Sequence, residues 1–233
     1  MKKHITLIIL ALAATISASA QFKISYSAGY GDYAMGDMSK LLNMSLGSIS
    51  DQLPAGVKIT DNFPGYVTHN LDATYQINRH EFGLKGTYMT TGGKIAYADY
   101  SGKYHEQLTL NGFRIGALYR FHFANTHIGN LPLSFFGELS PAITFTKLKY
   151  DALLSLPDYD INEVNPTDEV GTKETGYSIQ PMIGAQLSIT RNIFAIVSAG
   201  YDVEFGAKLS TTNNLYRADW SGIRLNAGVG VSF

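Results

Sequence analysis

Alternation with a period of two runs through most of the chain, and no other feature restricts its fold so strongly. The stretch "GIRLNAGVGVSF" shows it plainly: Ile223, Leu225, Ala227, Val229, Val231 and Phe233 are separated by Arg224, Asn226, Gly228, Gly230 and Ser232. In an extended strand, such a sequence puts its apolar side chains on one face and its polar ones on the other. The pattern recurs in "QFKISYSAGY", "NLDATYQIN", "EFGLKGTYM" and "NGFRIGALYRFHF", and again over 135–145, 177–190 and 193–204. A helix cannot use this period. Eight antiparallel strands are therefore expected. Phe136, Phe194 and Ile196 interrupt the rule by placing apolar side chains on the polar face, all near one end of their strands.

The connections alternate in length. "NRH" and "TRN" are short and "ANTHIGNLP" is modest, whereas 31–66 and 151–176 are long and 207–221 is intermediate. Between the third and fourth strands, "SGK" marks a tight tip on two strands that run well past the apolar band. Short turns at one end and long loops at the other are the layout of a closed membrane barrel. The faces agree. Through the middle of the strands the apolar face has no Lys, Arg, Asp or Glu. The polar face carries Lys23, Lys85, Arg114, Arg120 and Arg224 together with Asp72, Glu81, Glu138, Asp202 and Glu204. An eight-stranded barrel has an interior just wide enough for side chains to fill. Lys85, Arg114, Arg120, Glu138, Glu81, Asp72, Asp202 and Arg224 are therefore expected to form a charge-balanced network in the lumen. Phenylalanines gather at the short-turn ends. Tyrosines, including Tyr30, Tyr66, Tyr88, Tyr97, Tyr104, Tyr150, Tyr177 and Tyr201, gather toward the loop ends, as two interfacial girdles would require.

The first residues, "MKKHITLIILALAATISASAQ", have two lysines, a short apolar run and small residues before Gln21. This is the layout of a secretory signal peptide over 1–20, leaving one domain over 21–233. Removing Lys2 and Lys3 leaves 18 − 2 = 16 basic residues against 19 acidic ones, which gives no basic face for nucleic acid. There is no cysteine, so disulfides do not hold the domain together.

With "ASAQ" at the cleavage site, eight alternating strands and the terminal "GVGVSF", the chain resembles the eight-stranded OmpA/OmpX-like outer-membrane β-barrel family, in particular the outer-membrane β-barrel domain proteins of Bacteroidetes. The resemblance covers 21–233. It implies an integral protein of the bacterial outer membrane but says little about activity. The role expected of the chain is that of a monomeric structural or adhesive scaffold, with no cofactor and no catalytic activity. The resemblance also implies that Phe233, with Val231, Val229 and Leu225, is read by the outer-membrane insertion machinery. The expected partners are that machinery, outer-membrane lipid, and an extracellular protein or lipid ligand for the loops. A narrow pore, a lipid A-modifying enzyme and a soluble carrier barrel are the alternatives, in that order.

Three local features bear on those alternatives. His69, His105, Glu106 and Asp99 lie near the loop ends, where a histidine paired with a carboxylate could act as a general base, but no nucleophile motif accompanies them. In the loop over 158–169, Asp158, Asp160, Asn162 and Glu169 follow calcium-loop spacing. Glu163 stands where the sharp turn needs glycine, so a solvated acidic loop and no metal are expected. Finally, "GDMSKLLNMSLGSI" spaces Met38, Leu41, Leu42 and Ile49 along one face of a short helix, with Asp37 as its N-cap. These apolar residues either fold back on the barrel mouth or form an exposed docking patch.

Overall fold

The computed structural model describes residues 20–50, 56–98, 100, 102–156, 161–165, 173–206, 208–210 and 215–233. The signal segment, Asp99 and most of the acidic loop over 158–169 lie outside them. Strands β1 (Ala20–Gly31), β3 (Tyr66–Ile77), β4 (His80–Ala98), β5 (Lys103–Ile128), β6 (Leu131–Leu156), β8 (Lys173–Ser188), β9 (Ile193–Phe205) and β12 (Gly222–Ser232) pair in sequence, each antiparallel to the next. The ring closes where β12 meets β1, with Ile24 opposite Val231 and Tyr30 opposite Leu225. Closure leaves the barrel with no open edge. The sequence explains why the strands form: β-branched and aromatic residues are frequent at the outward positions, and the period of two holds along the strands apart from a register shift between His122 and Ala124 of β5.

Both ends follow the expected layout. At one end, β3 turns into β4 at 78–79, where Asn78 takes φ 56°, and β5 turns into β6 at 129–130, where Gly129 takes φ 60°. Asn and Gly are the residues that tolerate this conformation. The link read as "ANTHIGNLP" is thus a tight turn, because β5 and β6 run on to Ile128 and Leu131. At the other end sit helix α1 (Gly36–Ser50), strand β2 (Lys58–Asn62) against β4, strand β7 (Ile161–Asn165) against β6, and the small pair β10 (Lys208–Ser210) and β11 (Leu215–Arg217).

The exterior of the ring is apolar and exposed over one band. Ile24, Leu71, Leu84, Ile115, Ile143, Ile183, Val197 and Val229 all face outward, with Leu84 61% and Ile183 70% exposed. No water-soluble fold leaves so continuous an apolar belt uncovered. No helix among the described residues is long and apolar enough to cross a membrane, and the crossing is made by strands.

Above this band the two faces exchange character without a change of parity. On β5, Phe113 and Ile115 face out and Arg114 faces in. Farther along the same strand, Thr109 and Asn111 are outward while Leu108 and Leu110 are buried inside. On β6, outward Phe145 gives way to Lys147 and Lys149, and inward Thr144 to Leu148. The strands therefore leave the bilayer between Phe113 and Asn111 and continue as a water-facing sheet with an apolar inner face. Tyrosines expected in the girdle are displaced by this exchange. Tyr104 and Tyr150 occupy inward positions and pack against the apolar core of the mouth instead of facing lipid, and Tyr97, directly opposite Tyr104, shares their face.

Candidate functional site: the filled lumen and its mouth

The turn end of the lumen is floored by Phe136, Phe194 and Ile196, all at most 5% exposed. These are the residues that broke the alternation. Their rings fit because the neighbouring inward positions are glycine: a Cβ on Gly184 would land inside the Phe136 ring, and one on Gly230 inside the Phe194 ring. Arg120 stacks 5.1 Å above Phe136 and Lys23 lies 5.3 Å from Phe194, so the floor also receives cations on its aromatic faces.

Directly above lies the tightest part of the charge network. Each nitrogen of the Arg120 guanidinium takes a different carboxylate. Nε donates to Glu138 at 2.6 Å, Nη1 to Glu81 at 2.8 Å, and Nη2 to Asp72. Lys85 donates to Glu138 at 2.7 Å, and Lys23 to Glu81 at 3.3 Å and to Gln186 at 3.1 Å. Three cations thus meet three carboxylates, all buried. His122 joins them with Nε2 at 3.0 Å from Glu81 and Nδ1 at 2.7 Å from Ser134. The strand register is what gathers them. Asp72 is opposite Lys85, Glu81 opposite Arg120, and Arg120 opposite Glu138 across consecutive pairs. Lys23 and His122 were not among the expected network residues, although both stand at inward positions of the alternation.

A second, looser cluster sits nearer the mouth. Asp202 lies between Arg114 at 3.6 Å and Arg224 at 3.7 Å. Arg114 is also held by Ser178 at 2.9 Å and by the Ser140 carbonyl. Arg224 donates to the carbonyls of Asp32 at 2.7 Å and of Trp220, and stacks 4.9 Å from the Tyr33 ring. Every expected lumen residue is therefore buried inside, but in two groups: Asp72, Glu81, Lys85, Arg120 and Glu138 below, Arg114, Asp202 and Arg224 above.

The mouth is closed by a small apolar core that the sequence did not reveal. Its centre is the sole tryptophan, Trp220, set edge-on to Tyr33 at 5.0 Å. The indole nitrogen donates to Thr146 Oγ1 at 2.8 Å. Around it pack Met89, Leu110, Leu148, Phe63 and Ile95, and from above Met38 and Leu42 of α1. Met38 and Leu42 are fully buried and Leu41 half-buried against the same core, so they form no exposed docking patch. The physical reason is the exchange of faces described above: the extended strands offer an apolar inner face, and α1 is the element that covers it.

Asp37 is not the N-cap of this helix. It lies in the first turn, where its charge favours the helix dipole. Its Oδ1 accepts from Lys40 at 3.0 Å, which holds the carboxyl below its ordinary range. Polar contacts tie α1 to the strands: the Arg217 amide donates to Asp37 Oδ2 at 3.3 Å, Ser45 Oγ donates to buried Glu106 at 2.6 Å, and Tyr104 OH donates to the same Glu106 carboxylate at 3.0 Å. Burial and that carboxylate push the Tyr104 phenol well up. Replacing Ser45 by alanine is expected to cost about 1–2 kcal/mol, because Glu106 loses a donor. Chemical denaturation of the barrel in detergent, followed by the mobility of α1, measures it.

Among the described residues, those considered for general-base chemistry, His69, His105 and Glu106, are not brought together, and Asp99 lies outside the described residues. His105 and Glu106 are consecutive on β5 and face opposite sides. His69 faces lipid, with Nδ1 at 2.7 Å from the Tyr26 hydroxyl. Of the acidic loop, Asn162 and Glu163 fall on β7 and the other candidate ligands lie outside the described residues. At the C-terminal strand, Leu225, Val229, Val231 and Phe233 all face outward, and the Phe233 amide donates to the Phe22 carbonyl at 2.8 Å.

No family model and no curated protein matches the chain. Among solved structures it is similar to Neisserial surface protein A (14% identity, 92% of this chain and 99% of that one, TM-score 0.41). It is similar also to Ail, the attachment invasion locus protein of Yersinia pestis (14%, 92% and 97%, 0.36), and to the outer membrane protein OprG from Pseudomonas aeruginosa (10%, 93% and 96%, 0.43). By its own closure, strand number and exterior, the chain is a small β-barrel of the outer-membrane type.

Proposed function

We propose that the protein is an integral outer-membrane scaffold with a structural or adhesive role, displaying its loop-end platform outside the cell and catalysing no reaction. One observation carries the reading: the lumen is filled from floor to mouth by Phe136 and Phe194, two charge clusters, and the Trp220 core under α1. A filled lumen supports an anchor more than a conduit. The part of the fold that varies from a minimal barrel is the extended β4–β5–β6 sheet, its helix and its loops, so contact with an extracellular protein or lipid is assigned there.

Two experiments test this. Refolded protein in a planar bilayer is expected to give no steady single-channel steps, and reproducible steps would replace the scaffold with a pore. Cell fractionation is expected to find a heat-modifiable band in the outer membrane, and a heat-insensitive band in the soluble fraction would overturn the location. The exposed terminal ring suits recognition by the insertion machinery. Phe233→Ala is expected to slow insertion in cells while leaving refolding in detergent unchanged.

A further inference from the structure

The barrel exterior is not evenly ridged. Between β3 and β5 a groove of about 420 Å³ opens in the lipid-facing surface, because Ala73 and Gly86 stand where other rows carry large side chains. Tyr26, Leu71, Leu84 and Ile115 wall it, and His69 rims it through its bond to Tyr26. Tyr88 and Phe113 close its upper end, and the same two residues begin a second hollow of about 270 Å³.

This upper hollow has different chemistry. Asn111, Lys147 and Thr175 line it with Phe145, and Glu174, opposite inward Thr146, also borders it. The Tyr88 hydroxyl and Thr90 Oγ1 both donate to Asn111 Oδ1, at 2.8 and 3.2 Å, which turns the Asn111 side chain toward the junction. Lys149 is exposed two residues beyond Lys147 on the same outward face, and the register sets Lys173 opposite Lys147. The junction lies at the level where the exterior changes from apolar to polar, which is the headgroup level of the leaflet on the loop side.

We infer that this β3–β6 face holds one phosphate-bearing lipid of that leaflet, with an acyl chain in the Ala73–Gly86 groove and its phosphate at Asn111 and Lys147. The inference rests on the membrane-spanning reading of the barrel. A groove inside the apolar belt is necessarily covered by hydrocarbon, and the lysines directly above it favour an anionic headgroup over a neutral one.

The two subsites can be tested apart. A Cβ on Gly86 would meet only the Leu71 carbonyl, at 3.9 Å, so Gly86→Leu fills the groove without disturbing the backbone. Gly137, which has open space around it and belongs to neither hollow, supplies the control Gly137→Leu. Native mass spectrometry from detergent would compare retention of phosphatidic acid and of diacylglycerol with the same chains. The Lys147→Gln/Lys149→Gln variant is expected to lower phosphatidic acid retention about tenfold, with diacylglycerol unaffected. Gly86→Leu is expected to lower both, and Gly137→Leu neither. Unchanged phosphatidic acid retention in the lysine variant, or equal losses in the two glycine variants, would overturn the site. Heat-modifiable mobility of each variant reports separately whether the barrel has formed, so a failure of the membrane reading is distinguishable from a failure of the lipid site.

Discussion

Replacing Arg120 by methionine is expected to destabilise the barrel by about 3–5 kcal/mol, the loss seen when one partner of a buried ion cluster is removed. Three carboxylates converge on this one guanidinium. Without it, Glu81, Glu138 and Asp72 keep only Lys23 and Lys85 as neutralising charges. Methionine has similar reach, so the cost reflects charge and not a cavity. Arg120→Lys restores a positive charge but offers a point charge where three carboxylates need a fork, and an intermediate loss is expected. The decisive comparison is the double variant Arg120→Met/Glu81→Gln. It again balances two cations against two carboxylates, and should recover much of the loss. Urea titration of protein refolded in micelles, read by heat-modifiable mobility, measures all three. A single variant within about 0.5 kcal/mol of the parent, the scatter of ordinary surface substitutions, would show that the network does not stabilise the barrel.

Why the strands, their faces and the lower network were readable follows from the period. Inward and outward positions differ by one residue, and a slip of one would bury Ile24 and expose Lys23, so register is written into every pair. The same reasoning put Arg120, Glu81 and Glu138 on one inner face, and the strand register then set Arg120 between the two carboxylates. It failed at the mouth because periodicity reports which residues share a face and not what lies beyond that face. Tyr104 and Tyr150 keep the parity of the lumen residues, yet above Asn111 the inner face is apolar and the outer one wet. Trp220 carried no signal of its own, lying in an irregular segment just before β12. The floor did leave one: Phe136, Phe194 and Ile196 broke the alternation at the same end, each near inward glycines that make room for them.

The exchange of faces can itself be measured along a single strand. Ala117, Thr109, Leu110 and Arg114 all lie on β5, the first two outward and the last two inward. Ala117 is paired with Leu84 in the middle of the apolar belt, and Ala117→Arg is expected to cost about 2–4 kcal/mol, the penalty for a lipid-facing arginine near the midplane. Thr109→Arg faces the same way but stands above the boundary, opposite Lys149, and is expected to change stability by no more than about 0.5 kcal/mol. Inside, the order reverses. Arg114 is accommodated by Asp202 and Ser178, whereas Leu110→Asp would put an unpaired charge among Met89, Leu148 and Trp220, at a cost of about 3 kcal/mol or more. Only a strand that crosses from lipid into water between Phe113 and Asn111 gives this crossed pattern. If Thr109→Arg proved as costly as Ala117→Arg, the hydrocarbon would extend beyond Asn111, and both the platform and the headgroup level assigned to Lys147 would have to move outward with it.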